Sequence, residues 1–355
     1  MTALNRKYLF IFNLSMDLDN PILATSNLWV NEMAKKFDCV YVYTTHAGRY
    51  KVGSNTTVYE LGGGTLIRKI KAIMKISLII PILFRFRKVS AVFHHQSPRT
   101  AVYPGLFIRF FSIPQCIWYS HSSKPISLIL SRLIANRVFS SSVESFPIPT
   151  RKMFPLGHGI DVEAAGEAFL IAPKKRSGVI FAGRINPIKN LGDCIEAIGK
   201  SALREKSFDL IGPLQSNSIY LEELKRLAAE KKVNLSLERP IPHDLIFQRM
   251  SSARIFYAGM KNSVDKSCLE AAATGCFILT SDEASSRLSG MDLIWELITG
   301  SRKLPDLPTQ IDLLEKLSEQ NESNYRILIH KKASEMNSSF KIAAKISQFL
   351  QTYGA

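Results

Sequence analysis

The sequence predicts an α/β protein built from two doubly wound domains that face one another across a cleft. Three observations predict it. The 355 residues exceed what one ordinary hydrophobic core encloses and fit two domains. Short apolar runs alternate with helix-length segments, as right-handed crossovers and a parallel sheet require. That alternation pauses once, near residues 163–177, and then restarts.

In the first half, KYLFIFN (7–13) reads as a buried strand, followed by a polar turn and a helix near 25–36. CVYVYT (39–44), VSAVF (89–93), QCIWY (115–119) and RVFSS (137–141) read as further short strands. IDVEAAGEAFLIAPKKRSG has no clear periodicity and is taken as the join. GVIFAG (178–183) opens the second unit, followed by a helix from about 190, SFDLIG (207–212) and a charged amphipathic helix (219–232). VNLSLE (233–238), RIFYAG (254–259) and CFILTS (276–281) supply three more strands. LPTQIDLLEKLSEQNESNYRILIHKKASEM and FKIAAKISQFLQTY close the chain as helices. The expected boundaries are therefore 1–165 and 175–335, with 336–355 a helix packing back on the first domain.

Composition narrows the class. An apolar content of 46% is that of a globular chain. Five cysteines (Cys39, Cys116, Cys194, Cys268, Cys276) form no C-x-x-C pair, so reduced thiols in a cytosolic setting are expected, without structural zinc. MTALNRKYLF carries no long apolar run or small-residue cleavage site, and no secretory signal is expected. The formal charge of +16 is lopsided: residues 1–165 hold 20 Lys and Arg against 8 Asp and Glu, the remainder 26 against 22. A strongly basic half suggests an acidic partner. No zinc-finger, RNP-like or helix-turn-helix pattern accompanies it, so the expected partners are an anionic membrane surface or phosphorylated substrates, not nucleic acid.

In doubly wound sheets, ligands bind beyond the carboxyl ends of the strands, which puts the loops after GVIFAG and RIFYAG on one rim. FAGRINPIKN (181–190) sets Arg184 and Lys189 five positions apart. Gly183 permits close backbone approach, and the planar Arg184 fork matches two phosphate oxygens. Lys189 adds a compact charge at the start of a helix, whose first amides favour anions. The residues alone allow two readings, a solvated loop or a site for an anion such as a diphosphate. An exposed Lys189 would be removable without loss of stability.

The second motif lies in MKNSVDKSCLEAAATGCFILTSDEASS (260–286). NSVDKS is rich in helix-starting residues, and CLEAAATG reads as a helix closed by Gly275. Glu270 sits in this small, apolar helix either as a partly exposed side chain or as a carboxylate that accepts two sugar hydroxyls.

Together the two motifs resemble the nucleotide-sugar domain of the retaining glycosyltransferases of family 4. Gly183, Arg184 and Lys189 match the pattern G-R-x-x-x-x-K; Leu269, Glu270, Ala271, Ala273 and Gly275 match L-E-A-x-A-x-G. IWYSH, SSVESF and PLGHGID extend the likeness over most of the chain. The resemblance implies the GT-B fold, two Rossmann-like domains facing a central cleft, with the acceptor bound by the first and the nucleotide sugar by the second. It implies that Arg184 and Lys189 hold the donor diphosphate, that Glu270 binds the ribose, and that His121 lies near the transferred sugar. Taken alone, His121 reads as a hydrogen-bonded structural histidine, as do His94, His95 and His158. The implied reaction transfers a sugar from a nucleotide-diphosphate donor to a hydroxyl of a sugar or lipid-linked acceptor, with retention. It needs no metal or other cofactor. Its implied setting is polysaccharide or glycolipid assembly, on the cytoplasmic face of the cell membrane.

The chain also departs from the pattern. Asn262 stands where the family has a further glutamate, eight residues before Glu270. Ser263, Asp265 and Lys266 are the expected replacements for its donor-sugar contacts. A glycine-rich loop after the first strand is replaced by LSMDLDNP. Asp17 and Asp19 form a D-x-D there, read as a turn in preference to a metal site. GGGT (62–65) lacks the lysine of a phosphate loop and reads as a flexible loop. Two rivals remain at this stage: a sugar-nucleotide epimerase of the same fold, and a non-catalytic nucleotide-sugar-binding partner subunit. TLIRKIKAIMKISLIIPILFRFRKV (65–89) mixes Arg68, Lys69, Lys71, Lys75, Arg85, Arg87 and Lys88 with apolar residues. Its uncharged run is too short to span a bilayer. It reads either as an amphipathic helix covering the sheet or as a surface lying on anionic lipid.

Overall fold

The computed structural model describes the chain apart from residues 1–6, 21–22, 62–64, 66–70, 72–73, 75–88, 204–205, 215–217 and 353–355. The basic segment 65–89 and the GGGT loop fall almost wholly outside the described residues. The chain divides into two compact units, Met1–Gly159 with Ser339–Ala355, and Ile160–Ser338. The division falls at Gly159/Ile160, six residues before the expected end of the first domain and fifteen before the expected start of the second, and at Ser338/Ser339, three residues beyond the expected end.

Unit 1 runs β1 (Tyr8–Met16), α1 (Ser26–Ala34), β2 (Cys39–Ala47), β3 (Thr56–Glu60), β4 (Val89–His95), α2 (Pro98–Phe110), β5 (Gln115–Trp118), α3 (Ile126–Ile134), β6 (Arg137–Ser140) and β7 (Met153–Pro155). Its seven strands form one sheet in the order β3-β2-β1-β4-β5-β6-β7, and every pairing is parallel. A parallel sheet covered on both faces needs strands apolar on both sides. β1 meets this with YLFIF: Leu9 and Ile11 enter one core cluster, while Tyr8, Phe10 and Phe12 enter the other. β3 and β7 were not legible in the sequence. TTVYE is an exposed edge strand, and MFP has only three residues and ends in proline.

Unit 2 runs α4 (Val162–Leu170), β8 (Ser177–Ala182), a 3₁₀ turn (Pro187–Lys189), α5 (Leu191–Lys200), β9 (Ser207–Ile211), α6 (Ser218–Glu230), β10 (Asn234–Glu238) and α7 (His243–Ser252). It continues through β11 (Ala253–Ala258), α8 (Lys266–Ala273), β12 (Phe277–Thr280), α9 (Glu283–Ser289), α10 (Met291–Thr299), α11 (Leu307–Glu315) and α12 (Glu319–Asn337). The five strands order as β10-β9-β8-β11-β12, again all parallel. The direction of winding reverses between β8 and β11, which makes their carboxyl ends the topological switch point, where such sheets bind ligands.

Much of the segment read as a join is the helix α4. Asp161 caps it by accepting from the Ala164 amide, and Ala165 and Ala168 are buried in the unit 2 core. Small residues gave it no strong apolar stripe to read. The long helix expected over 307–336 is two helices, α11 and α12, and Ser318 restarts the second by capping the Asn321 amide.

The last helix, α13 (Ser339–Thr352), returns to unit 1. Ile342, Ala343, Ile346 and Leu350 are fully buried in the cluster with Leu9, Ile11, Trp29 and Phe93. The amphipathic spacing of these four residues places them on one face. Deleting the buried side chain at Ile346 leaves a cavity that the neighbouring α1 and β4 cannot close. Ile346→Ala is expected to lower the denaturant-unfolding free energy of unit 1 by about 2–5 kcal/mol. A change within about 0.5 kcal/mol would mean that α13 does not complete this core.

Candidate functional site

The site grows out of two turns on adjacent strands. β8 ends at Gly183, whose φ of +154° suits a residue without a Cβ. The chain then runs beside the loop after β9: the Gly183 amide donates to the Ile211 carbonyl and the Ile185 amide to the Pro213 carbonyl. A Cβ on Gly212 would lie 2.0 Å from the Gly183 carbonyl oxygen, so glycine is needed for this approach. Arg184 follows directly on this ledge and is half-buried.

The turn Pro187–Lys189 follows, and Asn190 enters α5 in the left-handed region at φ 48°. Three contacts press this turn onto the end of β11. The Asn190 side-chain amide donates to the Gly259 carbonyl at 2.7 Å. The Tyr257 hydroxyl donates to the Asn190 carbonyl at 2.7 Å. A Cβ on Gly259 would meet the Lys189 carbonyl oxygen at 2.2 Å.

This packing decides between the two readings of Lys189. Its residual exposure is 5%, and its Nζ lies 2.5 Å from Asp265 Oδ1 and 3.4 Å from Met260 Sδ. It is therefore not a solvated loop lysine. The expectation that Lys189 could be removed without loss of stability is corrected: losing it leaves Asp265 as an unpaired, largely buried carboxylate, a type of change that costs about 3–5 kcal/mol.

Asp265 occupies the N-cap position of α8, yet its side chain does not cap the helix. It reaches to Lys189 instead. Lys266 begins the helix, and one turn on its Nζ lies 3.0 Å from Glu270 Oε1. Glu270 is 4% exposed, which excludes the reading as a partly exposed helical glutamate. His243, at the start of α7, places Nε2 3.3 Å from the same Oε1. Burial raises the Glu270 pKa, but the Lys266 charge and the His243 hydrogen bond outweigh it and bring the value down to about 2. Glu270 is thus a buried, ionised carboxylate held between the Lys266 ammonium and the His243 imidazole. His243 was missed in the sequence, where a lone histidine carries no spacing signal.

The carboxyl end of α8 is equally fixed. Gly275 closes the helix at φ +76°, as the sequence predicted. His330 bonds the Ala273 carbonyl, Arg176 donates to that of Thr274 at 2.8 Å, and Arg326 donates to that of Gly275 at 2.8 Å. These donors satisfy carbonyls that a helix end leaves orphaned, and the cations complement its negative pole.

The loop between β11 and α8 carries the remaining candidates. Asn262 is exposed and adopts φ 58°, a left-handed conformation that Asn enters more readily than Glu. Its amide donates to Asp282 Oδ1 at 3.1 Å, and the same carboxylate caps α9. Ser263 is buried. Asp265 and Lys266, expected to touch a donor sugar, are each engaged within the site, with Lys189 and Glu270.

His121 belongs to unit 1. It is exposed in a turn, where its Nδ1 accepts from the Ser123 amide at 3.0 Å and its own amide donates to the Ser145 carbonyl. His94 is fully buried between Thr100 and Gln115, and burial pushes its pKa down to about 3. His95 stacks on Trp29. Asp17 accepts from the amides of Asp19 and Arg49, and Asp19 pairs with Arg49. The D-x-D thus builds a turn. Among the described residues no group of three or more His, Cys, Asp and Glu is placed to hold a metal ion. All five cysteines are free.

No protein-family model and no curated protein sequence matches the chain. Solved structures do. The Anabaena protein Alr3699/HepE, solved with UDP and glucose, is 15% identical with a TM-score of 0.67, covering 98% of this chain and 100% of its own. A glycosyltransferase from Rickettsia africae ESF-5 gives 12% and 0.69, over 98% and 99%. The sucrose-phosphate synthase from Thermosynechococcus elongatus gives 10% and 0.68, over 98% and 99%. At these identities the likeness establishes the fold, which is GT-B: two doubly wound α/β units, each on a parallel sheet.

The depressed pKa of Glu270 has a measurable consequence. Its folded value of about 2 lies below the ordinary 4.5, so its stabilising contribution is complete above about pH 4.5 and is lost as pH falls toward 2. Urea unfolding of the wild type and Glu270→Gln across pH 5.5 to roughly 3 should show a shallower acid loss in the variant. Parallel curves would mean that Glu270 is not held ionised by His243 and Lys266.

Proposed function

We propose that the protein is a glycosyltransferase that moves a sugar from a nucleoside-diphosphate donor to an acceptor hydroxyl, with retention, in the manner of family 4. One observation carries this reading. At the switch point of the unit 2 sheet, the turn after β8 carries Arg184 and Lys189, Lys189 pairs with Asp265 at the entry to α8, and the same helix carries the buried Glu270. Fixed cations beside a fixed carboxylate match the two ends of a nucleoside diphosphate, phosphate and ribose.

In this reading the Arg184 guanidinium takes two diphosphate oxygens through its planar fork. Lys189, already oriented by Asp265, places its remaining N–H groups against the same charge. The hard step is departure of the diphosphate as the sugar gains oxocarbenium character. Cations positioned in advance stabilise the charge that grows on the leaving group, because they need no reorganisation during the reaction. Glu270, ionised at any working pH, accepts hydrogen bonds from the ribose hydroxyls, while His243 and Lys266 hold its orientation. The leaving phosphate assists removal of the acceptor proton on the same face of the sugar. The charge work assigned to Arg184 and Lys189 requires no metal. Ser263 and the Asn262 backbone are the donor-sugar contacts of this scheme. His121 acts from unit 1 on the transferred sugar. The acceptor is a sugar or lipid-linked hydroxyl in polysaccharide or glycolipid assembly.

Thermal unfolding with UDP, GDP, ADP and their sugars tests binding. A ligand at 100 times its Kd should stabilise the protein by about 2.7 kcal/mol, and Glu270→Ala should abolish the gain. No stabilisation by any of them sinks the reading. With the donor identified, release of nucleotide that requires an acceptor distinguishes transfer from epimerisation.

Arg184→Lys, at a half-buried position, should lower kcat/KM roughly 100-fold. It should leave folding within about 0.5 kcal/mol of the wild type. The companion variant Lys189→Met, Asp265→Asn removes the pair as a neutral unit and should fall by a further 10- to 100-fold. Activity should persist in excess EDTA. Loss of activity that manganese or magnesium restores would overturn the metal-free scheme.

A further inference from the structure

We propose that the outer face of α2 and α3 in unit 1 docks on an anionic lipid bilayer. A crossover helix of a doubly wound sheet buries one face and normally turns polar residues outward. These two neighbours are apolar on both sides. α2 buries Ala101, Pro104, Gly105 and Ile108, yet exposes Tyr103, Leu106, Phe107 and Phe110. α3 buries Leu128, yet exposes Ile126, Ile129, Leu130 and Leu133. The spacings of three and four residues place each exposed set on a single stripe of its helix. Phe110 is 82% and Ile126 76% exposed.

The two helices pack against each other on one side of the sheet, so their stripes belong to one surface. Single exposed apolar residues are ordinary; eight large ones on two adjacent helices mark an interaction surface.

The charge around this face identifies its occupant. From Val89 to Val143, the stretch that holds both helices, the sequence contains no Asp or Glu, against five Lys and Arg. Arg99 and Arg109 are exposed on α2, and Lys124 is exposed just before α3. A second copy of this chain would bring the same cations against themselves. A bilayer with anionic headgroups supplies both complements at once, acyl chains for the apolar stripes and phosphates for the cations. No helix among the described residues is long and apolar enough to cross a membrane, which fits a face that rests on the surface. The inference is independent of the donor chemistry proposed above, since it rests on the other unit and its test needs no turnover.

Flotation of the full chain with phosphatidylcholine vesicles, with and without phosphatidylglycerol, is the direct measurement. The protein should float only with the anionic vesicles, and less as salt rises, because screening weakens the headgroup attraction. Leu106→Gln with Phe110→Gln should weaken partitioning by roughly 10- to 100-fold through lost apolar burial. Arg99→Gln with Lys124→Gln should weaken it by about fivefold per cation. Both variants change only exposed side chains and should melt with the wild type; if the apolar pair unfolds, the charge pair still decides the question. The proposal is overturned by equal binding to neutral vesicles, by no binding to anionic ones, or by variants that float like the wild type. It is also overturned by a wild-type dimer in sedimentation that Leu106→Gln with Phe110→Gln dissociates, since the face would then join two copies of the chain.

Discussion

The Lys189–Asp265 pair is the contact on which the arrangement of unit 2's rim depends. It joins the turn after β8 to the N-cap residue of α8, across strands that are neighbours in the sheet but distant in sequence. A buried ion pair contributes little net stability against an apolar alternative, because both charges lose water. What it supplies is position. Asp265 sits where a helix cap belongs and does not cap, and a buried lysine is held with its charge beyond the carboxyl end of a central strand. Both departures from ordinary local chemistry fall at the switch point of the winding.

α8 transmits that position to Glu270. Its far end is clamped by His330, Arg176 and Arg326, which bond the carbonyls of Ala273, Thr274 and Gly275. Arg326 is itself buried, stacked over Phe277 and paired with Glu322. The helix therefore cannot slide or rotate without breaking contacts at both ends. The helix is enclosed by neighbouring helices as well as by the sheet, and its small residues Ala271, Ala272 and Ala273, all fully buried, allow that close packing. Glu270 remains charged in this apolar setting because Lys266 and His243 flank it. A carboxylate pre-oriented in this way loses little further freedom when a ligand hydroxyl arrives.

The two units use charge differently. Unit 2 balances its sign and places paired ions inside, while the first half of the chain concentrates cations on stretches that hold no carboxylate. Long-range attraction and a local site are thus separate properties of separate units. The basic segment 65–89 lies almost wholly outside the described residues; the outward apolar stripes belong to the crossover helices α2 and α3.

By itself the sequence determined the doubly wound class, most of the strands, and the stretches Gly183–Lys189 and Lys266–Gly275 as the chemically unusual ones. These features are local. A buried parallel strand is written as a short apolar run, and a turn that must approach a ligand is written as glycine beside a charge. Only the tertiary structure decided that Lys189 is buried against Asp265, 76 residues away, and that His243 completes the Glu270 site. It alone showed that Asn262 stands in a left-handed turn and which residues of the last helix, expected to pack back on the first domain, enter the core of unit 1. It also decided which apolar stripes of α2 and α3 face outward. Their sequences are apolar on both sides, and periodicity reports that a helix has an apolar face without saying what covers it. Pairings such as Lys189–Asp265 are set by which strands become neighbours, and no residue spacing records that choice.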